Sequence, residues 1–491
     1  LRVPARTALV YAERTWTYAE LDRGAGRVGG ALLELGLVPG ERVAAYGRNS
    51  DAYLLAWLGC LRAGLVHVPV NYALTAAELG YIVRQSGAAA LLYDAGLASN
   101  VAALEQAPGV RVHGCFEGGG AFDVLARARD AGGPAAPEGL LDDGDLVQLL
   151  YTSGTTAAPK GAMMTHRALL AHYASCIVDA ALAGEDRSLD ALPLYHSAQM
   201  HCFMMPHLLT GATSVLIEAP LPERCLPLVE ERRITSFFAP PTVWIGLLRH
   251  PDFDRYDLTS LRKIYYGASI MPLPVLEELR RRLPGARPYN LYGQSEIAPL
   301  ATVLRPEEHE LRPASAGRPV FNVETRVVDF DGADVPPGTH GEIVHRSPQL
   351  MLGYWQKPAE TAQAFAGGWF HSGDVGWLDE EGYLYVVDRL KDIINTGGVV
   401  VSSREVEEVL FTHPAVSEVA VIALPDPKWV EAVTAVVVLR PGFEPDEDAL
   451  LAHARLTLAP FKVPKRVIFA DALPRNTAGK LLKRELRAAY G

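Results

Sequence analysis

The sequence is poor in cysteine: Cys60, Cys115, Cys176, Cys202 and Cys225 are scattered over 491 residues. An odd number without CxxC spacing argues against a disulfide framework or a zinc ribbon and points to reduced thiols in a cytoplasmic protein. Basic charge is not in excess either. The 46 Lys and Arg are outnumbered by 57 Asp and Glu, for a formal net charge of −11, which argues against a general nucleic-acid binder. Clusters such as Arg280-Arg281-Arg282 read as solvated helix faces. Long apolar runs are missing: the longest, Leu54 to Val70, contains Arg62 and His67 and reads as no membrane span. No signal peptide is apparent, and a first residue of leucine leaves the true N-terminus open. Repeats and low-complexity tracts are absent. What remains is an ordinary globular composition, 49% hydrophobic and 21% charged, long enough for two or three domains.

Against that background one stretch stands out, Leu149-Leu150-Tyr151-Thr152-Ser153-Gly154-Thr155-Thr156-Ala157-Ala158-Pro159-Lys160-Gly161. It joins an apolar run (Leu146 to Tyr151) to a helix expected from about His166. Four hydroxyls, two glycines and a lysine can together cradle a polyphosphate. It is not a Walker loop, because Pro159 precedes Lys160 and Gly161 follows it. Read alone, it is also compatible with an ordinary surface loop.

Strand–helix–strand alternation runs to about residue 270 and predicts α/β layers with largely parallel sheets. Arg42–Tyr46 and Val66–Val70 are expected strands around a helix from Ser50 to about Arg62. Gly24-Ala25-Gly26-Arg27-Val28-Gly29 is formally GxGxxG, but it lies inside a helix expected over Trp16–Leu35. It reads as a decoy that permits close helix packing. Residues 128–145 read as an exposed connection. From about 310 short strands separated by Gly, Pro and Asp predict a β-rich subdomain. Beyond Asp392 the pattern predicts a small α+β domain.

Further segments carry chemistry: Pro193-Leu194-Tyr195-His196, Tyr266-Gly267-Ala268-Ser269, Tyr289-Asn290-Leu291-Tyr292-Gly293-Gln294-Ser295-Glu296, His371-Ser372-Gly373-Asp374, Asp388-Arg389-Leu390-Lys391-Asp392 and Pro474-Arg475-Asn476-Thr477-Ala478-Gly479-Lys480. With the phosphate-type loop, in this order and spacing, the chain resembles the adenylate-forming superfamily of acyl-CoA synthetases, luciferases and peptide-synthetase adenylation domains over nearly its whole length. The resemblance implies an adenylation domain over 1–390, with the β-rich part at about 310–390, and a mobile C-terminal lid domain over 391–491 that turns at Lys391. It implies ATP, Mg²⁺ and coenzyme A as reactants and cofactor.

The roles it implies agree with the side-chain chemistry. Thr152, Ser153, Gly154, Thr155, Thr156 and Lys160 would wrap the β- and γ-phosphates, with Lys160 on the leaving pyrophosphate. Glu296, aided by the Thr152 hydroxyl, is a hard oxygen ligand for Mg²⁺. Ser295 stands where relatives usually carry threonine and can still donate to the α-phosphate. Gly267, Ala268, Ser269, Asn290, Tyr292 and Gly293 form the adenine side, Tyr292 offering its ring face. Asp374 accepts from the ribose hydroxyls and Arg389 completes that grip. Lys480 bridges the acid and the α-phosphate, and Lys391 is the hinge for a lid-type motion. His196 lies beside the acid pocket, and Tyr195, Met200, Phe203, Thr242 and Trp244 are candidates to line it.

Two departures matter. Gly397-Gly398-Val399-Val400 replaces the Gly-Gly-Glu of many relatives and leaves the thiol acceptor open. Ser197-Ala198-Gln199-Met200 lacks a glycine common near Gln199, which could reshape the acid pocket. The leading expectation is an ATP-dependent acyl-CoA ligase for a fatty or other bulky hydrophobic acid, since no aspartate follows Leu194-Tyr195-His196 to pair with an amino group. A second has a carrier protein or partner enzyme receiving the acyl group. A third, a non-catalytic nucleotide-binding protein, is opposed by the joint presence of Lys160, Glu296, Asp374, Arg389 and Lys480. The acid's identity and the oligomeric state stay open, a homodimer among the options.

Overall fold

The computed structural model describes residues 2–104, 109–119, 121–137, 141–152, 158–269, 271–390, 392–396, 399–427, 429–475 and 481–491. Their strands form four sheets. The first runs in the order Val112–Cys115, Ala88–Tyr93, Arg42–Tyr46, Val66–Val70, Leu146–Thr152, Lys160–Thr165; every pairing is parallel except the last. The second is parallel from Arg287–Tyr292 through Lys263–Gly267, Ser236–Phe238, Arg187–Asp190 and Thr213–Leu216 to Thr7–Tyr11, and turns antiparallel at both edges. The mixed α/β class expected from the alternating pattern is therefore realised in two sheets. Open parallel sheets bind ligands outside the carboxyl ends of their strands. Thr152, Asp190, Phe238, Gly267 and Tyr292 all stand at such ends.

The glycines of the formal GxGxxG lie in the helix Tyr18–Glu34. A Cβ on Gly29 would sit 2.7 Å from the Gly59 carbonyl oxygen on the helix Asp51–Ala63, so they serve close helix packing. The helix begins two residues later than expected. Thr17 and Glu20 form a reciprocal capping box that fixes its start, and Trp16 belongs to the strand Arg14–Thr17. The expected exposed connection is partly buried: Ala136 donates its N–H to the Gly26 carbonyl at 2.8 Å, and Gly30 has no side chain to keep Pro134 away.

The third sheet is antiparallel, Glu324–Val328, Gly341–Arg346, Phe370–Leu378 and Leu384–Arg389. The fourth holds Val399–Val401, Ile394–Thr396, Val430–Leu439 and Val416–Asp426, with Arg466–Phe469 parallel beside Val430–Leu439. Between these two sheets Asp388 Oδ2 accepts from the Ser403 N–H at 2.8 Å and hydroxyl at 2.7 Å. Lys483 pairs with Glu407 at 2.8 Å and Arg487 with Asp392, so the final helix Lys483–Tyr490 is tied to the same region. Among the described residues all five cysteines are free and buried, and no helix is long and apolar enough to cross a membrane.

A buried ion pair braces the second sheet. Lys263 Nζ lies 2.7 Å from Asp186 Oδ2 and 2.6 Å from the Ala181 carbonyl. Burial pushes the Asp186 carboxyl up, but its cationic neighbourhood outweighs this and holds it down at about 2. The His207 ring at 3.7 Å is too distant for a hydrogen bond, which leaves Lys263 as the close cationic partner, beside the Ala183 N–H at 2.8 Å. A depressed carboxylate stabilises the fold above its unfolded value and loses that contribution as pH falls through the folded one. Lys263→Met is expected to cost about 3 kcal/mol at pH 7 by leaving a buried charge unpaired. Urea unfolding followed by tryptophan fluorescence should show this, with a flatter loss of stability between about pH 4 and 2 than in the parent.

Candidate active site

Strand pairing brings the two ends of the hydroxyl-rich loop together, because Thr152 and Lys160 are direct partners across the antiparallel ladder. Ser153, Gly154, Thr155 and Thr156 lie outside the described residues, as do Lys391 and Lys480. Thr152 Oγ1 donates to Glu296 Oε1 at 3.2 Å. The Tyr354 hydroxyl donates to the same oxygen at 3.1 Å, and Lys160 Nζ stands 4.3 Å from the Tyr354 ring centroid. Burial and then the Glu296 charge push the Tyr354 hydroxyl up, so it remains a donor. The Met351 N–H on the Glu296 carbonyl, at 2.9 Å, fixes the backbone of this acid. A carboxylate and a hydroxyl oxygen sharing one spot suit a hard divalent cation such as Mg²⁺.

Tyr354 was not found from sequence. Its place follows from Gly353-Tyr354-Trp355 lying against Lys160–Thr165: Met163 donates to the Gly353 carbonyl and Trp355 to that of Gly161. A Gly-Tyr-Trp run in a loop is a weak cue, because any glycine–aromatic turn looks the same.

On the opposite side, Asp374 and Arg389 are cross-strand partners. Arg389 Nε lies 2.7 Å from Asp374 Oδ1, and the Tyr292 hydroxyl donates to Asp374 Oδ2 at 2.7 Å. Asp374 is buried while Arg389 keeps about a third of its side chain exposed. Burial works against the Arg389 charge, but Asp374 outweighs it and holds the guanidinium more firmly protonated. Burial, with the Asp374 charge second, pushes the Tyr292 phenol well up. Asn290 donates to the Ser315 carbonyl at 2.9 Å. Gly267, beside Leu291 in the ladder, ends its strand, and Ala268 and Ser269 beyond it are exposed. Gly293 has φ +156° and its Cβ would fall 2.0 Å from the Pro299 carbonyl oxygen, so only glycine lets the chain turn towards Glu296 there.

Beside His196 lies a small apolar cleft lined by Leu192, Pro193, His196, Ala198, Gln199, Phe238, Pro240 and Ala268. His196 Nδ1 accepts from the Ala198 N–H at 3.3 Å. Ser197 and Ser295 hydroxyls lie 2.7 Å apart, which joins the His196 loop to the Ser295–Glu296 loop. Of the lining expected from sequence, His196 is there, but Met200, Phe203 and Trp244 are not. Met200 and Phe203 are about 1% exposed and packed into the core. Trp244 packs at a tilt against Phe237 and donates its indole N–H to the Tyr265 carbonyl, turned into a separate core. The helix Pro241–Arg249 rotates its position 244 inward, a phase the sequence pattern left open.

Two sheets' carboxyl ends, a carboxylate–hydroxyl pair and a buried Asp374 paired with Arg389 fit a nucleotide-handling enzyme. The AMP-binding enzyme family model matches residues 1–355, and that of the AMP-binding enzyme C-terminal domain matches 405–480. A feruloyl-CoA synthase from an Amycolatopsis species is 40% identical, over 99% of this chain and 96% of its own. The fatty acid–[acyl-carrier-protein] ligase ScoC of Streptomyces coeruleorubidus is 35% identical, over 99% and 94%. Among solved structures, ATP-bound MatB from Rhodopseudomonas palustris has a TM-score of 0.93 at 32% identity, covering 100% of this chain and 97% of that one. The chain belongs to the AMP-binding enzyme family, in the adenylate-forming superfamily of acyl-CoA synthetases. It is an AMP-forming acid–thiol ligase.

Asp374→Asn removes the charge that Arg389 and Tyr292 face while keeping the side-chain shape. A charge-assisted hydrogen bond contributes about 1.5–3 kcal/mol. Titration calorimetry is therefore expected to show ATP binding weakened roughly ten- to a hundredfold; an unchanged Kd would remove Asp374 from the nucleotide grip.

Proposed function

We propose that the protein is an ATP-dependent acyl-CoA ligase that activates a hydrophobic carboxylic acid as an acyl-adenylate and then forms its coenzyme A thioester. The observation that carries this reading is the apolar cleft with His196 at its side, whose loop is bonded through Ser197 to Ser295 beside Glu296. An acid lying there would direct its carboxylate towards the nucleotide side.

In the first half-reaction a carboxylate oxygen attacks the α-phosphorus of ATP. The bond to the bridging oxygen breaks, and pyrophosphate leaves with the electron pair. The obstacle is repulsion between an anion and a polyanion, and fixed positive charge offsets it. In this proposal Lys160 faces the leaving pyrophosphate, Lys480 bridges acid and α-phosphate, and Ser295 donates to the α-phosphate. Thr152 and Glu296 would hold Mg²⁺, which when bound supplies charge neutralisation at the phosphate oxygens. Gly267 to Ser269, Asn290, Tyr292 and Gly293 bound the adenine side, and Asp374 with Arg389 takes the ribose. In the second half a thiol sulfur attacks the acyl carbon, AMP leaves, and the thiol proton passes to solvent.

The proposal includes a division at about residue 390, with Lys391 as hinge. Its support is that Asp388 and Arg389 end the third sheet and that the C-terminal family match begins at 405. A carrier protein as acceptor is the second reading. It is favoured by the Val399-Val400 departure and by the ScoC relative; Gly397 and Gly398 lie outside the described residues.

Incubation with ATP, Mg²⁺, coenzyme A and a panel of hydrophobic acids should release AMP and yield the acyl-CoA in equal amounts. AMP release with no thioester would move the assignment to the carrier-protein reading. Lys480→Ala is expected to lower adenylation by at least about a hundredfold and to spare thioester formation from supplied acyl-adenylate. Equal loss of both halves would contradict the role given to Lys480.

A further inference from the structure

The cleft has a graded wall. Ala268 is exposed and His196 half-buried, whereas Gln199 and Phe238 are almost wholly buried and so form the floor. Gln199 spans that floor with both ends of its amide engaged. Nε2 donates to Asp190 Oδ1 at 2.6 Å, and Oε1 accepts from the Leu192 N–H at 3.3 Å. The orientation is fixed by chemistry, since a carboxylate oxygen needs a donor and a backbone N–H an acceptor.

Behind the amide, Asp190 is 0% exposed and not part of the cleft lining. The Ser188 hydroxyl donates to the same Oδ1 at 3.0 Å, and Oδ2 has no hydrogen-bond partner among the described residues. Burial pushes the Asp190 carboxyl up. The loop cannot drift to uncover it, because Asn49 accepts from the Leu194 N–H at 2.7 Å and donates to the Leu192 carbonyl at 2.8 Å.

We propose that Gln199 is a specificity-determining residue that masks the buried Asp190 carboxylate from the acid cleft, restricting the enzyme to compact acids with an uncharged tail. The inference rests on the cleft being the acid site. A long aliphatic chain would have to displace an amide that satisfies a buried carboxylate, which is costly. A cationic tail finds no counter-charge while the amide is in place. Shortening residue 199 removes the mask, and the carboxylate, 2.6 Å behind the lost amide nitrogen, becomes a partner for an ammonium group.

The test compares kcat/KM for AMP release with 3-phenylpropanoate, its 4-aminomethyl derivative and hexadecanoate, in the parent, Gln199→Ala and Asp190→Asn/Gln199→Ala. The parent should favour phenylpropanoate over each of the others by about tenfold or more. Gln199→Ala should raise the aminomethyl-to-phenyl ratio about tenfold with the KM for ATP unchanged, and the double variant should return it to the parental value. An unchanged ratio in Gln199→Ala, a gain that survives loss of the carboxylate, or equal use of hexadecanoate by the parent would each overturn the proposal. Gln199→Asn, which keeps an amide but is one methylene shorter, should give a smaller gain and covers the case in which the alanine variant does not fold. Absence of acid-dependent AMP release from every form, the parent included, would instead overturn the acid-site reading and take this inference with it.

Discussion

One carboxylate oxygen holds the centre of the molecule together. Glu296 Oε1 receives the hydroxyl of Thr152, from the last residue of a strand in the first sheet, and that of Tyr354, from the connection between the strands Gly341–Arg346 and Phe370–Leu378 of the third. Glu296 itself follows the strand Arg287–Tyr292 of the second sheet. Three layers thus meet at a single acceptor. Two neutral donors on one charged acceptor make a strong junction without a buried salt bridge, and they keep the oxygen poised where a cation could replace the hydroxyl protons.

The polar core around the His196 cleft follows the same economy. Asp190, Gln199 and Asn49 are nearly or wholly buried, and together they tie a short excursion of chain to the sheet from both sides. Each buried polar group that finds its partner rigidifies the loop, and each partner removed would leave a group desolvated and unpaired. Beyond the third sheet the style of attachment differs. Asp388 holds the first turn of the helix Ser403–Phe411, and Lys483 and Arg487 hold the last helix through ion pairs. Contacts of that kind can be exchanged for others more readily than a packed apolar core.

Legibility from sequence divides along physical lines. The parallel sheets and the strand ends were readable, because period-two and period-3.6 patterns are local properties; Asp374 and Arg389 stood out through motifs shared with a family, and their pairing with each other came from the structure. The helix start at Tyr18 was readable in principle from Thr17 and Glu20, but the apolar run through Trp16 masked it. Tyr354 and the Gln199–Asp190 bond were not readable: each joins residues by a hydrogen bond that no periodicity encodes. Trp244 was misplaced for a related reason, since an aromatic in a short Pro-initiated helix can face either side and the deciding contact, the Tyr265 carbonyl, lies on another strand.

The excursion from Leu192 to Gln199 supplies five of the eight residues around the cleft proposed for the acid, whereas Asp374, Arg389 and Tyr292 stand on strands elsewhere. In the proposed function, choice of acid and hold on the nucleotide are therefore written largely in separate parts of the chain, with Ala268 shared between them. A lineage carrying this architecture can redraw the first by changing a handful of neighbouring codons, as one cassette, while the second is inherited untouched. Diversification of substrates on a constant reaction is the evolutionary behaviour such a layout favours.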